Sequence, residues 1–114
     1  MLNKDYYILL SLLETIEKII LYSQGYKSAE ELNENNRDLD AILMNFIVLG
    51  EVIDKLSEHF KDSNTQITWN KIYGLRNIIA HNYFGINIET IWQIINDYIP
   101  VLKQQLEKLV EINR

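Results

Sequence analysis

The chain has 114 residues, 47% of them hydrophobic and 24% charged, an ordinary balance for one small globular domain. It has no cysteine, which excludes disulfides, thiolate catalysis and cysteine-based zinc sites and suits a reducing cytoplasm. The formal net charge of −5 argues against a broad basic grip on nucleic acid, so any RNA contact needs positive charge that is concentrated locally or gathered by pairing two copies.

A single domain is expected over residues 1–114, and an all-α one: an antiparallel bundle of four to five helices. Apolar residues recur at helical spacing, no alternating strand pattern appears, and a single proline and four glycines leave long uninterrupted segments. The first helix is predicted from about Asn3 to Ser23. Leu9, Leu12, Leu13, Ile16, Ile19 and Ile20 form its apolar face, and Gly25 is its C-terminal stop. Lys4, Asp5, Glu14, Glu17 and Lys18 interrupt this stretch, so no run approaches the ~20 residues of a membrane span, and no small-residue cleavage site follows. The expectation is a cytoplasmic protein without a membrane partner.

"SAEE" at 28–31 reads as a capping box, Ser28 being the cap and Glu31 reaching back, and opens a short helix ending near "NENN". A long helix is then predicted from about Asp38 to Phe60, its core face made by Ile42, Leu43, Phe46, Leu49, Ile53 and Leu56. Gly50 sits in the middle of it, where glycine costs ~1 kcal/mol relative to alanine, and the close approach of another helix would explain its presence. After the polar loop "KDSNTQ", Thr68 is placed as the N-cap of a fourth helix, with Ile67 and Ile72 as a hydrophobic staple. This helix should end near Asn82, with Gly85 just beyond. The last helix runs from about Ile88 to Ile112, and Pro100 inside it should kink it.

Chemistry concentrates in "GLRNIIAHNYFG", residues 74–85, where Arg76, His81 and Tyr83 punctuate an apolar segment. The plain interpretation makes His81 a helix C-terminal residue favoured by the helix dipole, Arg76 the ion-pair partner of one of the acidic residues, and Tyr83 ordinary packing. The chemical interpretation makes Arg76 a phosphate clamp and His81 an acid or base, a minimal kit for cleaving RNA through its own 2′-hydroxyl without a metal. Five residues correspond to ~140° on an ideal helix, so Arg76 and His81 do not share a face. They can line one cleft if the helix end loosens or if two copies of the helix face each other across a dimer axis. Other chemistries lack their residues. Neither His59 nor His81 has a glutamate three residues before it, as carboxylate-bridged di-iron bundles require, and there is no glycine-rich phosphate loop. His59, beside Lys55 and Lys61, reads as solvated.

"RNIIAHNY" has the pattern Arg, four residues, His, one residue, Tyr, and resembles the signature of the HepT toxins within the HEPN superfamily of helical ribonucleases. "LGEVIDKLSE" resembles that family's "IGEA" helix at Leu49, Gly50 and Glu51. "ITWNKIYGLRN" resembles its Trp-x-x-Ile-x-Gly-Met-Arg-Asn segment through Trp69, Ile72, Gly74, Arg76 and Asn77, with Leu75 in place of Met. "IETIWQIINDYIPVLKQQL" resembles its closing helix, including Trp92 and Pro100. The resemblance implies a HEPN-like bundle that acts as a homodimer with the active groove at the dimer interface. It implies a metal-independent endoribonuclease without cofactor, the toxin of a type VII toxin–antitoxin pair. Arg76 and His81 would be the catalytic pair, Asn77 would help to orient the site, and Tyr83 would accept adenylyl groups from an antitoxin, a minimal nucleotidyltransferase of the MntA type. The acidic net charge departs from what an RNA-binding surface leads one to expect. Two alternatives stand beside this: a non-catalytic nucleotide- or substrate-binding helical partner of a nucleotidyltransferase, and a purely structural dimerisation domain.

Overall fold

The computed structural model describes residues 3–114, with side chains from Lys4 onward. The described chain is all-α: α1 (Asn3–Ser23), α2 (Ala29–Glu34), α3 (Asn36–Ile53), α4 (Glu58–Ser63), α5 (Trp69–His81), a single 3-10 turn at Tyr83–Gly85, α6 (Ile88–Gln93) and α7 (Ile99–Ile112), the last two joined by a π turn at Ile94–Tyr98. The four long rods are therefore α1, α3, α5 and the continuous α6–α7 rod, with α2 and α4 as short connectors. No described helix is long and apolar enough to cross a membrane.

Long-range bonds fix the direction of the rods. Asp5, at the start of α1, bonds Ser57 just past the end of α3. Asp40, early in α3, bonds Tyr83 just past the end of α5, whereas Glu51, late in α3, meets Arg76 further back in α5. Both pairs run antiparallel. One core lies between them: Leu9, Leu12, Ile16 and Ile19 from α1, Ile42, Phe46, Leu49 and Ile53 from α3, Ile72 and Ile79 from α5, and Ile99, Leu102 and Leu106 from α7. The residues of each set recur three, four or, in α5, seven positions apart, so each helix turns a single apolar stripe inward.

Start and stop signals act largely where the sequence places them. Gly25 ends α1 with φ +87°, a conformation that residues with a Cβ rarely adopt. The Ser28 hydroxyl accepts from the Glu31 N–H at 3.2 Å, and the Glu31 carboxylate accepts from the Lys27 N–H, one residue before the cap. Ile67 and Ile72 are both buried as a staple would have them. Thr68 is a correction: it makes no side-chain cap, and its hydroxyl instead pairs with the Tyr98 hydroxyl at 3.0 Å.

The helix expected over 38–60 is also corrected, because α3 ends at Ile53 and α4 begins at Glu58. The Asp5 carboxylate accepts from both the Ser57 N–H (2.9 Å) and the Ser57 hydroxyl (2.7 Å), and Ser57, in extended backbone, accepts in turn from the Phe60 N–H. Ser57 thus serves as the N-cap of α4, which requires the helix to break before it. Pro100 disrupts the last helix as expected, and the disruption takes the form of a π turn. The Ile99 N–H reaches back five residues to the Ile94 carbonyl, so that the ring can follow without meeting the regular ladder.

The buried Asp5 carboxylate is the sole long-range tie described for the α4 cap. Asp5→Ala is expected to destabilise the fold by about 1–3 kcal/mol, because it leaves the Ser57 N–H without its acceptor. Urea unfolding of the variant checks this, and an unchanged midpoint would contradict it.

Candidate active site

Helix α5 carries three sectors. Trp69, Ile72 and Ile79 are buried against the core, and Arg76 lies among them on the side that faces α3. Residues Tyr73, Asn77 and His81 follow one another at four-residue spacing and form a polar stripe beside Arg76. Gly74, Leu75 and Ile78 make the remaining sector, where Ile78 is 62% exposed. A cavity of about 490 Å³ lies there, between α5 and α6.

Arg76 reaches its position because residue 50 has no side chain. A Cβ at Gly50 would stand 2.4 Å from the Arg76 Cβ and 2.6 Å from its Cγ. The close approach expected of Gly50 is therefore the stem of the candidate phosphate-binding arginine crossing α3. Beyond the crossing, the guanidinium is held on two sides. Its Nη1 is 2.8 Å from the Glu51 carboxylate, and its Cζ lies 4.4 Å from the centre of the Tyr73 ring, a cation–π contact. Nε is buried and has no hydrogen-bond partner among the described residues. The side chain is only 19% exposed. A guanidinium has five donors, so Glu51 leaves others free for a phosphate. The plain expectation for Arg76, that it pairs with an acidic residue, is thus met.

His81 is the last residue of α5 and is exposed. It does not join Arg76: the ion-pair partner of Arg76 is Glu51. Asn77 is half-buried one turn before His81 on the same face. Tyr83 lies in the 3-10 turn, where its hydroxyl donates to the Asp40 carboxylate at 2.7 Å and its ring meets Phe84 edge to face, with centroids 5.4 Å apart. The hydrogen bond to Asp40, with a smaller contribution from burial, pushes the Tyr83 phenol up to about 12. His59 is exposed, as expected. Among the described residues no group of three or more His, Asp or Glu is arranged to hold a metal ion.

Glu51 stands in the "LGE" segment already singled out in the sequence, whereas Tyr73 and Asp40 escape motif reading. Glu51 and Tyr73 position Arg76, and Asp40 holds Tyr83. Tyr73 was open to detection, because it stands three residues before Arg76 on the same helix. Asp40 was not, since 43 residues separate it from Tyr83.

A family profile described as Ribonuclease HepT-like matches residues 12–109. The chain is similar to a Methanocaldococcus jannaschii protein named "Gamma-glutamylcyclotransferase and putative RNase", 29% identical over 111 residues, which are 96% of this chain and 50% of the relative. It is similar to a Caldanaerobacter subterraneus protein named "Putative RNase", 30% identical over 71 residues, covering 62% of this chain and 63% of the relative. It is also similar to a Thermococcus cleftensis protein named "Probable ribonuclease HepT", 27% identical over 107 residues, 94% of each. The chain thus spans about half the length of the first and just under two thirds of the second. No solved structure matches it. The matched span takes in the Gly50 crossing, the whole of α5 and the Tyr83 turn, and the chain belongs to the HepT-like ribonuclease family.

Proposed function

We propose that this protein is a metal-independent endoribonuclease, the toxin of a type VII toxin–antitoxin pair, with Arg76 and His81 as its catalytic residues. The observation that carries the proposal is the pose of Arg76: drawn across Gly50, held by Glu51 and Tyr73, and set beside the stripe that ends in His81. In the reaction the RNA 2′-oxygen forms a bond to the adjacent phosphorus while the bond from phosphorus to the 5′-oxygen breaks. The 2′-hydroxyl loses its proton, the 5′-oxygen gains one, and a 2′,3′-cyclic phosphate remains. Arg76 stabilises the charge that builds up on the phosphoryl oxygens, and His81 moves a proton. Asn77, on the same face as His81, helps to orient the site.

The acting species is a homodimer. Ile78, three residues before His81 and exposed, offers an apolar contact next to the polar stripe. Pairing through it sets the two stripes along one groove and gathers two Arg76 side chains, a local positive charge on a chain of formal charge −5. The antitoxin is an MntA-like nucleotidyltransferase that transfers adenylyl groups to Tyr83. The product places a negative phosphodiester and a base two residues from His81, where they obstruct RNA.

Growth on induction tests this. The wild-type chain expressed alone should arrest cells, and co-expression of the nucleotidyltransferase should relieve the arrest. A non-catalytic binding partner or a structural dimerisation domain would not arrest them. Tyr83→Phe should arrest growth as the wild type does and resist relief, because only the acceptor oxygen is lost. If intact-mass measurement finds the full adenylyl mass on Tyr83→Phe, the acceptor is another residue.

A further inference from the structure

We propose that Asp40 is the proton acceptor that activates the Tyr83 hydroxyl for attack on the α-phosphorus of a nucleoside triphosphate, an inference that rests on Tyr83 being the adenylyl acceptor. Nucleotidyl transfer to a phenol needs the proton to leave as the new bond forms, because a neutral phenol is a weak nucleophile. At pH 7 only about one Tyr83 in 10⁵ is ionised if its phenol titrates near 12, so a preformed phenolate contributes little. The group already in contact with the proton is the Asp40 carboxylate, whose Oδ1 accepts it at 2.7 Å.

The step balances. The Tyr83 oxygen bonds to the α-phosphorus, the bond from that phosphorus to the bridging oxygen of the β-phosphate breaks, and pyrophosphate departs with the electron pair. The phenolic proton passes to Asp40, which later releases it to water. A cavity of about 390 Å³ lies beside the pair, lined by Asn33, Asn36, Asp40, Tyr83, Phe84 and four aliphatic side chains, and leaves room for an approach to the hydroxyl. Phe84 is fully exposed at its edge.

A second phenol–carboxylate pair in the same protein serves as an internal control. The Tyr26 hydroxyl donates to Asp38, but the neighbouring cavity is lined by Glu31 and Glu34, which repel a triphosphate. Adenylyl groups should appear on the peptide containing Tyr83 and not on that containing Tyr26.

The test incubates wild type, Asp40→Asn, Asp40→Ala and Asp40→Glu with the nucleotidyltransferase and ATP, and follows the mass gained by the Tyr83 peptide over time. Circular dichroism confirms that each variant is folded. The amide oxygen of Asp40→Asn still accepts from the phenol, so a merely structural tie survives in it, whereas proton transfer does not. Asp40→Asn should be slower by about 10²-fold or more, and Asp40→Glu should recover part of the loss. Wild-type rates in Asp40→Asn, with or without a loss in Asp40→Ala, overturn the proposal. An unmodified Tyr83 in the wild type overturns the acceptor reading itself, and Asp40 falls with it.

Discussion

Replacing either proposed catalytic residue, Arg76 or His81, is expected to reduce RNA cleavage by about 10³-fold or more, the scale of losing acid–base help or a preorganised positive charge in the transition state. The two variants should differ in stability. His81 is exposed at the end of α5, so His81→Ala should stay within about 0.5 kcal/mol of wild type. Arg76 packs its stem on Gly50 and its guanidinium on Tyr73, so Arg76→Ala loses packing as well as charge. Arg76→Lys is the cleaner variant, because it keeps a long charged stem and loses the planar fork. An RNA gel, read beside far-UV circular dichroism, decides. Full cleavage by a folded His81→Ala would remove His81 from the mechanism, and full cleavage by Arg76→Lys would reduce the arginine to a point charge.

The second large effect is expected at Gly50, outside the proposed catalytic pair. At Gly50→Ala the new Cβ would stand 2.4 Å from the Arg76 Cβ, at the root of that side chain, where no torsion can relieve the clash. Helix α5 must shift, or Arg76 must leave the crossing. Alanine gains ~1 kcal/mol of helix propensity over glycine, and overpacking costs about 1–3 kcal/mol, so the net destabilisation is at most about 2 kcal/mol. Activity should fall further than stability, by about 10²-fold, because a misplacement of the order of 1 Å is enough to lose that much. Thermal melting and cleavage assays on one sample check the pair. A Gly50→Ala variant that is fully active would show that the pose of Arg76 does not matter.

The rods were legible because their apolar residues recur every three or four positions, and Gly25, Ser28 and Gly50 are local signals with local causes. The break after Ile53 was not. Leu56 and Phe60 continue the helical spacing of buried residues across it, and the cause, Asp5, lies 52 residues away in sequence from Ser57. The Thr68 cap failed for a similar reason, since Tyr98, 30 residues later, bonds its hydroxyl instead. In the site, the sequence displays Arg76, Asn77, His81 and Tyr83 within eight residues. What positions Arg76 comes partly from α3, and the partner of the Tyr83 hydroxyl comes from it too. Both depend on the antiparallel pairing of α3 with α5, which no spacing within α5 reveals.

The most direct measurement is to incubate the purified wild-type chain and His81→Ala with total RNA in EDTA and to analyse the ends of any fragments. Cleavage by the wild type alone, leaving 2′,3′-cyclic phosphates and blocked by a 2′-deoxy nucleotide at the cut position, is the predicted result. Intact RNA in EDTA with cleavage restored by a divalent ion, or equal cleavage by His81→Ala, would contradict the account.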